Sequence, residues 1–189
     1  MKIKNKTLLA FLQQDGVDAC SLGRVWALQN CTTLREVWEK CERSDWMLWV
    51  MCRLGVYDQS ISHFLVKVLR EQPIHEGKTL FDLLTDERSR KCVDVLEQFL
   101  DGKATLDEFK KARSDAADAA YAASDDAAYA AAAAANAADA AYYYAASAAA
   151  NASDAAYDAA YAADDADAAR RWQADALRAC VVIEWEETP

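Results

Sequence analysis

The side chains that could do chemistry are few: six cysteines, two histidines and a dense run of aspartates and tyrosines. His63 and His75 have no cysteine at ligand spacing, so neither belongs to a zinc pattern. Cys20, Cys31, Cys41, Cys52, Cys92 and Cys180 form no Cys–His arrangement, and they read as reduced, small buried hydrophobes. No glycine-rich loop is present to cradle a phosphate. These absences set the expectation of a non-enzymatic protein with no cofactor and no metal. The aspartates and tyrosines remain. They repeat as the tetrad Asp-Ala-Ala-Tyr, which occurs five times: Asp118–Tyr121, Asp126–Tyr129, Asp139–Tyr142, Asp154–Tyr157 and Asp158–Tyr161. Phenols and carboxylates at fixed spacing are recognition chemistry, because Tyr combines a large apolar ring with a polar tip.

A turn of about 100° per residue places eight of the ten aspartates and six of the seven tyrosines of this run in one arc of about 140°. The remaining surface is almost entirely alanine. The tetrad is therefore a spacing that gathers Asp and Tyr on one face of a helix and leaves the other smooth. Ser114 to Ala169 contains 33 Ala, 10 Asp, 7 Tyr, 4 Ser and 2 Asn, with no cation. The 21 basic residues elsewhere balance the 21 acidic residues outside the tract, so the net charge of −10 belongs to the tract alone. Direct nucleic-acid binding, which needs Lys and Arg to displace counterions, is not expected. An aspartate every few residues also excludes a membrane span, and the short apolar run near the amino terminus is no signal peptide. The expected location is cytoplasmic.

The elements that must position this face are helices, since no stretch alternates apolar and polar residues over a useful length. Punctuation by Gly, Pro and capping residues predicts short helices over 6–13, 18–29, 33–42, 45–54 (capped by Ser44), 59–71 and 79–101, the last interrupted near Thr85. Thr105 followed by Glu108 is a capping-box signal for the next helix. Trp26, Trp38, Trp46 and Trp49 fall at helical spacing and read as core. Asp167 precedes Arg171 by four residues, a favourable pair. Trp172, Ala176, Leu177 and Cys180 form an apolar stripe that docks the last helix, about 168–183, on the amino-terminal bundle.

Alanine has the best helix propensity, but a tract without cations cannot stabilise itself through ion pairs. It must pack. A smooth alanine face lets axes approach to about 8 Å, and each buried methyl contributes only about 0.8 kcal/mol, so the contact has to be long. An antiparallel hairpin turning near Ser147–Ser153, with Asn151 in the left-handed position, satisfies this; so does one rod paired with a second chain as a homodimer. An unbroken helix over 105–180 would measure about 110 Å, which favours the hairpin. The expected fold is all-α: a bundle of short helices over 1–102, then an Ala/Asp/Tyr-rich long-helix region over 103–189.

The stretches TLREVWEKCERSDWMLWV (33–50) and LDGKATLDEFKKA (100–112), followed by the Ala/Tyr/Asp tract, resemble a family of alanine-rich proteins of uncharacterised function encoded by phages and prophages. The resemblance covers 33–50 and 100–170, with Asp45–Trp49 its most specific block. It implies no catalytic residue and a phage–host setting.

The functional expectation is a protein-interaction module, an accessory or anti-defence factor that occludes a host protein such as a defence-system component. Its binding face would comprise Tyr121, Tyr129, Tyr143, Tyr157 and Tyr161 with Asp118, Asp126, Asp139, Asp154 and Asp158. The alternative is an acidic mimic of DNA that inhibits a nucleic-acid-binding protein. Ten aspartates along about 78 Å give one charge per about 8 Å, against one per about 1.7 Å in duplex DNA.

Overall fold

The computed structural model describes the whole chain except residues 1, 15–16, 56–57, 75–76, 124–125, 143–150, 152–153, 156, 164 and 188–189, together with the side chains of residues 126, 127, 142 and 187. Among the described residues the chain is all-α apart from two short strands. In order it forms β1 (Lys2–Asn5), α1 (Leu8–Leu12), α2 (Ser21–Asn30), α3 (Leu34–Lys40), α4 (Ser44–Arg53), α5 (Gln59–Glu71), α6 (Leu80–Leu83), α7 (Glu87–Leu100), α8 (Leu106–Ala122), α9 (Asp126–Tyr142), a helical stretch at 157–161, α10 (Ala166–Cys180) and β2 (Glu184–Glu187).

Local chemistry explains most boundaries. Thr33 accepts from the Glu36 backbone N–H at 3.2 Å, while the Glu36 carboxylate takes the Thr32 backbone N–H and hydroxyl. Those bonds hold the Glu36 pKa down at about 2. Thr105 and Glu108 form the expected capping box at the start of α8, and Asp86 opens α7 after the break that follows α6. Gly102 closes α7 at φ 72°, a left-handed position that would strain any residue with a Cβ. Two expectations are corrected here. Ser44 does not cap α4: Arg43 occupies the N-cap position, and Ser44 is already helical with its hydroxyl turned to a different partner. The strands escaped the sequence reading because each is only four residues long, too short for alternation to register. They pair in parallel, Ile3 opposite Trp185, which buries Ile3.

One apolar core runs through the chain. Phe11, Leu34, Met47, Leu48, Phe64, Leu69, Leu96 and Phe109 are fully buried, and the same cluster continues without interruption into Ala116, Ala130, Ala134, Ala137 and Ala159. Trp26, Trp38, Trp46 and Trp49 pack against it and remain partly exposed. The tract is not a rod. Its first bend comes at Ala123, in extended conformation, where α8 ends although no Gly or Pro is present. Arg113 of α8 bonds Asp139 of α9 across the resulting antiparallel pair. A second antiparallel pairing joins α9 to the 157–161 stretch: Tyr129 stacks on Tyr161, and Asn136 bonds Asp158, so partners fall in number as α9 rises. The turn expected near Ser147–Ser153 lies outside the described residues except for Asn151, which is helical rather than left-handed.

Helix α9 is the consequence of the alanine composition. It packs against α5, α6, α7 and α8 at once, with Ala130, Ala133, Ala134, Ala137 and Ala138 buried along its length. Larger side chains would hold those neighbours apart, whereas methyl groups let a central helix be approached from several sides. Helix α10 lies against α4 and α5 and is fixed by buried polar groups that its apolar stripe does not reveal. Ser44 Oγ donates to Gln173 Oε1 at 2.6 Å, Gln173 Nε2 donates to Gln72 Oε1 at 2.5 Å, and Gln72 Nε2 donates to the Ala159 carbonyl at 2.7 Å. This chain of bonds ties α4, α10, α5 and the 157–161 stretch together.

Candidate functional site

The bend after the 157–161 stretch determines what the tyrosines can do. Asp165 caps α10 by accepting from the Ala168 backbone N–H at 2.9 Å, which sends α10 back beside the residues that precede it. Arg170, one turn into α10, therefore reaches Tyr161. Its guanidinium lies 5.1 Å from the Tyr161 ring centroid, within cation–π range. Tyr161 in turn stacks on Tyr129 at 5.9 Å and meets Tyr157 at 4.5 Å. The result is a three-ring platform drawn from α9 and the 157–161 stretch, with a cation against Tyr161. Tyr129, Tyr157 and Tyr161 remain 44, 41 and 44% exposed, so roughly half of each ring is available to a partner.

The platform is electrically organised. Arg170 is itself only 8% exposed and donates to Asp167 at 2.8 Å, in place of the Asp167–Arg171 pair expected from spacing. A buried guanidinium with one carboxylate partner keeps a fixed orientation. Tyr157 and Arg170 lower the Tyr161 phenol from its ordinary value, while Tyr161 raises that of Tyr157, so the two phenols are pushed in opposite directions.

The other residues expected on this face are dispersed. Tyr121 stands near the end of α8, 93% exposed, outside the stack. Tyr143 and the Asp126 side chain lie outside the described residues. Asp118 is exposed on α8. Asp139 is half-buried and accepts from Arg113 at 2.7 Å, a bond between helices. Asp158 accepts from Asn136 at 3.0 Å between α9 and the following pass, and burial raises its pKa, as it raises that of Asp154. Further aspartates of the tract have local duties: Asp115 pairs with Lys111 and Asp165 caps α10.

Sequence reasoning missed Arg170 and Asn136. Arg170 follows Tyr161 by nine residues, which corresponds to no helical neighbour relation; only the bend brings the two together. Asn136 interrupts an alanine run, and that break in composition was the available signal.

Among the described residues, no group of three or more His, Cys, Asp or Glu could hold a metal ion, and no helix is long and apolar enough to cross a membrane. Comparison with protein-family models, with curated proteins and with solved structures gives no significant match.

Proposed function

We propose that this chain is a non-enzymatic interaction module that binds a protein partner through the Tyr129–Tyr157–Tyr161 platform. The observation that carries the reading is the stack itself: three half-exposed rings in contact, with the Arg170 guanidinium against Tyr161. Rings already in contact lose little freedom on binding, and Tyr is enriched at the residues that dominate interface energies. The phage–host setting rests on the motif resemblance and says where to seek the partner: a host protein, with a defence-system component the first class to test.

The acidic-mimic reading is the weaker one. Asp115, Asp139 and Asp167 are paired with Lys111, Arg113 and Arg170, which thins the field for imitating a phosphate backbone. Affinity capture from host lysate with the native chain, a Tyr129→Ala/Tyr157→Ala/Tyr161→Ala variant and an Asp118→Asn/Asp154→Asn variant separates the two readings. A partner lost with the tyrosines and retained with the asparagines supports the platform. A partner lost with the asparagines, or released by modest salt, transfers the function to charge.

A further inference from the structure

A separate feature lies at the opposite compositional end of the chain. Between α1, α2 and α4, and bounded also by the segment leading into α2, is a half-open cavity of about 280 Å³. Phe11, Trp26, Trp46 and Trp49 line it, with the Cys20 thiol, the buried carboxylate of Asp45 and two exposed groups of opposite charge, Asp18 and Arg24, among the other lining groups. We propose that this cavity binds an uncharged planar aromatic molecule of one or two fused rings.

Size sets the upper limit. An apolar cavity of about 150 Å³ holds benzene, and drug-sized sites begin near 300 Å³, so this volume suits a bicyclic ring system and little more. The walls set the shape. Phe11 meets Trp49 edge to face, with centroids 6.4 Å apart and planes at 83°, and Trp26 meets Trp46 at 6.0 Å and 56°. Neither pair is stacked flat, so an incoming ring can lie on one wall and present its edge to another, the two arrangements aromatic quadrupoles favour. The backbone of α2 is close here: a Cβ at Gly23 would come within 3.2 Å of Cys20 Sγ and 3.6 Å of Trp46.

Charge sets the class. Asp45 is the buried group that would attract a cation, but Arg43 binds it through two bonds, at 3.1 and 2.6 Å; Asp18 and Arg24 are exposed to solvent, where pairing with a ligand ion gains little. The Arg43 guanidinium also lies 4.4 Å from the Trp46 ring centroid, so that ring already has a cation partner. With the buried carboxylate already engaged, a charged ligand would give up hydration inside apolar walls for partners that are themselves solvated. A neutral ring suffers no such loss.

The test uses the full chain, nitrogen-labelled, titrated with indole and separately with its charged relatives tryptamine and indole-3-acetate. Two-dimensional NMR follows the indole N–H signals of the tryptophans. The expected result is saturable movement of Trp26, Trp46 and Trp49 with indole, about tenfold weaker binding of both charged relatives, and loss of the effect in Ala27→Leu, which fills the cavity from α2. Tryptamine binding more tightly than indole would overturn the uncharged class. No saturable movement, movement confined to Trp172 and Trp185, or unaltered binding in a folded Ala27→Leu variant would overturn the site. Should Ala27→Leu not fold, the pattern of movement in the native chain decides alone.

Discussion

Ser44 Oγ and Gln173 Oε1 lie 2.6 Å apart although 129 residues separate them in the chain, and both side chains are completely buried. A hydroxyl that looks like a helix cap in the sequence instead anchors α10 to α4. From there the bonds continue through Gln72 to the carbonyl of Ala159, two residues from Tyr161. The tyrosine platform is thereby referenced to the centre of the bundle.

Gln173→Leu should remove this link at a cost of about 2–4 kcal/mol, since it strands a buried hydroxyl and a buried amide together. Urea denaturation checks the magnitude. A double-mutant cycle with Ser44→Ala should show coupling, because the second substitution removes one of the stranded groups. Additive effects would mean that the network does not act as a unit.

Ala137→Leu should destabilise the fold by about 1–3 kcal/mol, because Ala137 is fully buried in a helix enclosed by its neighbours. Ala132, only half-buried on the same helix, is the control and should accept Leu with a much smaller loss. Equal costs at the two positions in thermal melts would contradict the central placement of α9.

Tyr157 and Tyr161 should titrate apart. Tyr161 ionises below the ordinary phenol range and Tyr157 above it. Arg170→Met should raise Tyr161 and loosen the stack while leaving total helicity close to native. NMR titration of the native chain with carbon-13-labelled tyrosine follows the two phenols separately, and a common titration would contradict their opposite shifts.

Glu36 provides a pH-dependent prediction. Its folded-state pKa is about 2, below the value of about 4.3 for an unperturbed glutamate. A carboxylate lowered on folding contributes stability that is present above the unfolded pKa and disappears as pH falls through the folded one. The gap in stability between native chain and Glu36→Gln should therefore be open at neutral pH and close between about pH 4.3 and 2. Burial acts oppositely on Asp158, whose raised pKa makes it cost stability at neutral pH. Asp158→Asn should relieve that cost provided the bond from Asn136 survives amide reorientation.

The sequence carried the helical class, the α5 limits, the break between α6 and α7 and the capping box at Thr105 because each follows from local chemistry. It did not carry the bend at Ala123. No Gly or Pro stands in that segment, and the local signal is only the Ser124–Asp126 run, residue types that favour caps and turns. The same reasoning covers the candidate site. Tetrad spacing placed Tyr157 and Tyr161 one turn apart, but the contacts to Tyr129 and Arg170 depend on two reversals of direction that no periodicity encodes.

A core whose centre is made of methyl groups also has a thermal consequence. The heat-capacity change of unfolding grows with the apolar area exposed, and α9 releases far less of that area per residue than a leucine-rich helix would. Its share of that change should fall below the usual 12–15 cal/mol/K per residue of about every globular domain. A smaller curvature follows. Stability then varies gently with temperature, falling away slowly toward both cold and heat, so the alanine composition that thins the core also broadens the range over which the fold persists.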